Sequence, residues 1–319
     1  MGWESWLAFS VEAAIGTWVA PTYLWEGEGA ADSLTLGYNR TEARSSSGYR
    51  TVQAASIRNT HQLPGGALPA MPIYMNGSSL WLLNILKNHF VGSVGSTGGS
   101  VWTFSPATVQ KALSAFYGLS VTKRTGVDGR AETYAGCVID ELTLAGAHGG
   151  FVTVAPTLKA LLGTHHATAG TGSFSVTTDP YFTAANCTVT WQGEAIYPNA
   201  WSVTSRNGIP DRLGVGVQPR YGYSLGEWSG EASITVSRDD NMGTHYLTKY
   251  ITPSVGTLIV TGTAPTGTIG GGGVQAWSLT AICTPRPFDL PAQTGELMDT
   301  VAFDVTAVTI AVKSDASAL

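Results

Sequence analysis

The chain has 319 residues, 43% of them hydrophobic and only 12% charged, with a formal net charge of −5; that length allows one large or two ordinary domains. It carries 17 Lys and Arg against 22 Asp and Glu, with no run of cations, which argues against tight binding of a nucleic-acid backbone, whose affinity comes from cation-driven counterion release. The usual charged share is about 25%, so a surface this poor in charge points to one covered by other copies or partners.

The chain is rich in Gly, Thr, Val and Ser and its apolar runs are short, as in antiparallel β structure. No apolar run reaches the roughly 20 residues that span a bilayer, and the opening Met1 to Trp6 lacks the pattern of a secretory signal. Asn39, Asn76 and Asn186 head Asn-X-Ser/Thr sequons that mean little without secretion. Cys137, Cys187 and Cys283 are odd in number and each lies in a strand-like run, so they read as buried free thiols of a reducing compartment.

In chain order, residues 6–12 form a first strand, followed by 13–21 and 23–26. Residues 27–49 are polar with alternating Leu34, Leu36 and Tyr38, then Asn39, Arg40, Glu42 and Arg44. That is the pattern of a long hairpin arm with a mobile tip, and such segments are usually functional or disordered. Residues 49–58 are another strand candidate. From 72 to 160 runs a central unit: a short strand at 72–76, a Gly/Ser turn, then a helix over 80–90 with Leu82, Leu83, Leu86 and Phe90 at helical spacing and a serine cap. Strands follow at 101–104 and 120–124. A hairpin then pairs 133–144 with 151–158 about the turn at 147–150.

Residues 164–173 hold no apolar side chain larger than Ala, which places a domain boundary there: residues 1–163, a linker at 164–173, and residues 174–319. The second half offers strands at 185–191 and 195–204 around a Gln192-Gly193 turn, then a second arm at 213–228 with Tyr221, Tyr223 and Trp228. A strand at 231–237, a capped helical segment at 239–251 with Leu247 and Tyr250 on its apolar side, and a strand at 256–262 come next. A glycine loop at 270–273 and a last hairpin of 274–283 with 299–312 complete it. Strand, helix, strand, hairpin therefore occurs twice. The expected fold is mainly β, in two tandem sandwich or barrel domains, each with one short α-helix and a long arm loop.

Catalytic chemistry has little support. Gly222 to Gly226 match Gly-X-Ser-X-Gly around Ser224, but that elbow needs a strand before it and a helix after it, and residues 227–230 lead into a strand. His165 and His166 lack the spacing of metal ligands. Gly270 to Gly273 lack the Lys-Ser/Thr of a phosphate loop, and Asp239 and Asp240 suit a helix cap. Trp and Tyr, 22 together, read as core and interface packing. No catalytic group, cofactor or metal is expected.

The layout resembles the tail tube proteins of long-tailed bacteriophages. Residues 129–137 resemble the segment before their last hairpin, and 138–158 resemble the hairpin itself. Residues 275–283 and 295–304 hold the same places in the second half, and 11–21 resemble the N-terminal signature of the large members. The resemblance implies stacked rings that form a hollow tube, in the tail of a virion assembled in the host cytoplasm, with other tail proteins as partners. DNA would pass through the lumen without specific binding, past a weakly acidic wall. It further implies trimeric rings with pseudo-sixfold symmetry, hexameric rings being the alternative. The arms, Leu34 to Ser47 and Leu213 to Trp228, and the termini would make the contacts between rings. Another tail-tip or receptor-binding β protein, and an esterase using Ser224, are the competing classes.

Overall fold

A computed structural model describes residues 6–27, 32–42, 57–74, 80–91, 94–97, 101–109, 116–125, 130–166, 181–214, 220–237, 254–269, 273–286 and 298–315. The first half supplies β1 (Trp6–Val11), β2 (Tyr23–Leu24), β3 (Tyr38–Glu42), β4 (Ile57–Gln62), β5 (Gly65–Ala67) and β6 (Met71–Pro72). Then come the helix α1 (Leu80–His89), β7 (Val94–Thr97), β8 (Val101–Phe104), β9 (Leu119–Thr125), β10 (Arg130–Ala147), β11 (Val152–Lys159) and β12 (Leu162–His166). The second half supplies a 3₁₀ turn at Ala184–Asn186, β13 (Cys187–Trp191), β14 (Glu194–Ile196), β15 (Ala200–Arg206) and β16 (Ser229–Ser237). It ends with β17 (Gly256–Ile269), β18 (Gly273–Pro285) and β19 (Met298–Lys313). The fold is mainly β: all these strands but two join one large antiparallel sheet, and β3 and β4 make a separate two-stranded ribbon.

The hub is β10. Along one edge β11 pairs with its C-terminal half and β12 continues beside its N-terminal half. Along the other edge β9 covers the N-terminal half and β15 the C-terminal half. The partners change where β10 is irregular, with register shifts between Tyr134 and Cys137 and between Ile139 and Glu141, and with Gly136 at φ +64°. A bulge leaves a residue unpaired and bends the strand, which lets one long strand serve two neighbours. At the other end of the sheet β19 does likewise, pairing with β18 on one edge and with β16, then β8, on the other. So β15 of the second half lies on β10 of the first, and β8 of the first half lies on β19 of the second.

The sheet curls around its core. From β15 to β18 is three strand spacings, about 14 Å in a flat sheet, yet the Trp201 and Trp277 ring centroids are 6.1 Å apart. Trp191 of β13 and Phe303 of β19 are also three strands apart and meet at 5.0 Å. Both Trp201 and Trp277 stand opposite a glycine, Gly146 and Gly262. A Cβ there would come within 2.8 Å and 2.3 Å of the respective indole nitrogens, so the missing side chains make room for the rings.

The helix forms where the spacing predicts it, with Leu82, Leu83, Leu86 and Phe90 buried, but Trp81, Asn84, Ile85, Asn88 and His89 are buried as well. A helix enclosed on nearly all sides sits inside the core instead of lying on the sheet by one stripe. Trp81 stacks on Tyr74 at 4.9 Å and donates to its carbonyl.

Several boundaries move. The hairpins 133–144 with 151–158 and 274–283 with 299–312 both form. Of the strand expected at 49–58, Ile57 and Arg58 belong to β4, which runs on to Gln62, and 49–56 lie outside the described residues. Of the strand at 72–76, Pro72 belongs to β6 and Tyr74 bridges to Tyr181; residues 75 and 76 lie outside the described residues. The strand at 195–204 divides into β14 and β15 around Pro198, which has no N–H for a ladder. Thr164, His165 and His166 belong to β12 and pair with β10, so regular structure extends three residues into the expected linker. The helical segment 239–251, with Leu247 and Tyr250, lies outside the described residues.

Candidate assembly surfaces

The two halves are tied by buried polar groups at the end of α1. The His89 ring nitrogen Nδ1 lies 3.2 Å from both Ile139 O, which can only accept, and Asn207 Nδ2, which can only donate. Nε2 shares a hydrogen bond with Ser205 Oγ at 2.9 Å, and that oxygen accepts from Trp228 Nε1 at 2.9 Å. Asn207 donates to His89 O at 2.8 Å. Burial pushes the imidazole pKa down to about 4, against smaller upward pulls from the Ile139 carbonyl and the Asp140 charge. Asn88 accepts from Ile139 N at 2.7 Å and donates to Cys137 O at 2.9 Å, holding the β10 bulge.

A second cluster fixes the segment after β1. Glu12, 5% exposed, accepts from Gly16 N, Ser120 Oγ and Gly136 N, each at 2.7 Å. Desolvation raises its pKa and the three donors work against that rise. Its role is to satisfy backbone groups across β1, β9 and β10.

The first arm contributes β3 to a two-stranded ribbon, but the partner strand β4 lies beyond the expected arm at 27–49. β3 and β4 pair with each other alone among the described strands, with a bulge between Asn39 and Arg40. Its base is clamped by Thr35 and Gly65 exchanging backbone bonds at 2.9 and 3.1 Å, by Leu63 N to Gly37 O at 2.9 Å, and by Gln62 Nε2 to Gly163 O at 2.7 Å. Gly37 has φ +60°, and a Cβ there would meet Leu63 O at 2.0 Å, so only glycine suits that turn. Leu34 is buried, Leu36 packs on the core beside Gly163, and Tyr38 is 53% exposed. Asn39, Arg40 and Glu42 lie in β3; Arg44 lies outside the described residues. Residues 38–62 hold four arginines and one glutamate. Residues 38–62 thus carry +3 in a chain of −5, and the other residues carry −8. Counting charge by segment could have shown this from the sequence.

The second arm is built differently. Tyr221 is 55% exposed, but Tyr223 is only 2% exposed and its hydroxyl contacts Gly136 O and Lys159 O at 2.6 and 2.8 Å. Trp228 is partly buried over the core. Arg220 is buried, paired with Asp211 at 2.7 Å and donating to Pro64 O and Ala160 O at 2.6 and 2.8 Å. The described part of 213–228 is therefore fastened to the strands of the first half, and Tyr223 and Trp228 serve this chain's own packing. Periodicity could not reveal that, because burial of an isolated Tyr depends on a distant cavity.

Where β10, β15, β16 and β19 run side by side, one face carries mostly small, hydroxylated or charged side chains. Thr143 meets Thr204, Ser202 meets Ser233 and Thr235 meets Thr300, at 2.8 to 3.0 Å. Across the same strands runs an ion-pair ladder, Glu141–Arg206–Glu231–Arg286–Asp304, with contacts of 2.6 to 2.9 Å. The alternate residues, among them Leu144, Val203, Ile234 and Phe303, are buried on the opposite face. This face was not singled out from the sequence, although its period-2 alternation of Thr, Ser and charge is legible there.

A groove of about 790 Å³ opens between the β10–β11 turn and the bend joining β14 to β15. Small residues line much of it, including Gly146, Ala147, Gly149, Gly150 and Ala195. His148 N to Asn199 O at 2.7 Å and Ala184 N to Gly150 O at 3.0 Å hold its walls. Tyr197, at its rim, is 80% exposed.

Ser224 lies in an irregular segment that leads into β16, without the helix that a nucleophile elbow needs. His166 contacts Thr133 Oγ1 at 2.9 Å. No group of three metal-binding side chains occurs among the described residues, and no described helix is long and apolar enough to cross a membrane. The cysteines are free, Cys137 and Cys283 buried and Cys187 partly so; burial lifts the Cys283 thiol to about 12 and the Cys187 thiol to about 11.

Residues 2–309 match the family model described as phage tail tube protein. No curated protein matches the chain significantly.

Proposed function

The chain belongs to the phage tail tube protein family, a structural component of the virion tail, and we propose that it assembles into stacked rings enclosing a lumen for viral DNA. The observation that carries DNA passage is the polar face of β10, β15, β16 and β19. Its hydroxyls pair with each other and its charges neutralise within the ladder to a residual −1. Around the ladder the two arginines, Arg206 and Arg286, are both ion-paired and so hold phosphate weakly, which suits a lumen wall. A weakly acidic wall repels DNA and lets it slide.

The two halves act as two tandem tube units, and three chains close a ring with pseudo-sixfold symmetry. Support comes from the three-strand meander that occurs in each half, β9–β10–β11 and β17–β18–β19. Closure of sheet edges between copies removes the exposed edges that a lone subunit presents. Contacts between rings fall to the first arm, with the exposed Tyr221 of the second.

Negative-stain electron microscopy over a concentration series tests this directly. Hollow filaments with an axial repeat and threefold averages are expected. Monomers or small closed rings at every concentration would instead identify another β component of the tail.

A further inference from the structure

We propose that the groove between the turn at 147–150 and the bend at 196–199 receives the β3–β4 arm of the next copy of this chain; the inference rests on the assembly reading and adds the receiving surface.

Three observations meet here. First, β3 and β4 pair only with each other among the described strands. A lone two-stranded ribbon is marginally stable in water, so this one needs an outside support. Second, the arm and the groove lie at opposite ends of the β10–β11 hairpin. The arm's base is pinned beside Lys159, which pairs with Gly65, whereas the groove is lined by Gly146 to Gly150 next to Val152. The seven residue steps between span about 23 Å. A donor at one end and a receptor at the other make a head-to-tail contact, which generates open filaments instead of closed dimers.

Third, the groove suits that occupant in shape, and an acidic residue stands next to its lining. Its small side chains admit an approaching backbone, and β14, at its wall, pairs only with β13 among the described strands. The outer edge of β14 is a template for a further strand. Glu194, on β14, is exposed, and the arm region carries +3 while the other residues carry −8. Tyr197 supplies an aromatic cover at the rim.

The test uses the full chain in three forms: unaltered, lacking residues 39–48, and carrying E194R with Y197D. Both substituted side chains are exposed, and circular dichroism checks that each form folds. The double variant should need more than about tenfold higher concentration to grow filaments, a loss of about 1.4 kcal/mol per contact. Sedimentation of the two defective forms mixed should give a discrete two-layer species, because the intact arm of one meets the intact groove of the other and growth then stops. Filaments from the double variant at the unaltered concentration, or a mixture that sediments as its separate parts, would overturn the groove assignment while filaments of the unaltered chain leave assembly standing. An unaltered chain that never assembles would overturn both.

Discussion

His89 and Glu12 show how single side chains hold this sheet together, and each makes a stability prediction. His89 is fully enclosed and neutral, with a pKa near 4 in the fold against an ordinary 6.5. Its neutral form contributes stability that is complete above pH 6.5 and is lost as pH falls through about 4, amounting to roughly 3 kcal/mol. Urea unfolding at stepped pH should show that decline. In His89→Leu the protein should be weaker at pH 7 yet flatter between pH 6.5 and 4, and equal slopes in the two proteins would remove His89 as the cause. Glu12 faces three donors, so Glu12→Gln turns an amide N–H toward a backbone N–H. The expected cost is about 1–3 kcal/mol, read from the denaturant midpoint. A neutral effect would mean that the segment 12–19 relaxes around the amide.

At the scale of elements, the glycine–tryptophan pairs and the arm separate packing from assembly. Gly262→Ala places a Cβ 2.3 Å from the Trp277 indole nitrogen, whereas Gly146→Ala leaves 2.8 Å to that of Trp201. Overpacking of a filled core costs about 1–3 kcal/mol, and the Gly262 variant should lose more thermal stability than the Gly146 variant. The reverse order would show that Trp277 swings away freely. Deletion of residues 39–48 should behave differently, leaving the fold intact by circular dichroism and abolishing filament growth. Normal filaments from that deletion would rule the arm out as a contact between rings.

For the whole molecule, the polar face decides what the lumen does. Introducing lysine at Ser202 and Ser233, which meet on that face, should leave filament formation unchanged, since neither side chain is buried. It should make the filaments retain DNA at low salt and release it as salt rises, because the added cations bind phosphate by counterion release. Filaments that ignore DNA in both forms would place this face elsewhere in the assembly.

Local pattern was enough to read much of this chain. Alternation identified β10 with β11 and β18 with β19, and the spacing of Leu82, Leu83 and Leu86 identified α1. Gln192 and Gly193 mark a tight turn that the structure builds with φ of +51° and +86°, and the strand-like setting of the cysteines announced free thiols. These features depend on residues near one another in the chain, where backbone geometry and hydrophobic period act directly. Tertiary structure alone decided that β15 lies on β10, that β8 lies on β19, that Tyr223 turns inward, and that the groove by Tyr197 stays open. Period 2 tells which face of a strand is buried but not which strand lies beside it; that choice belongs to bulges such as the one at Gly136 and to cavities assembled from segments distant in sequence.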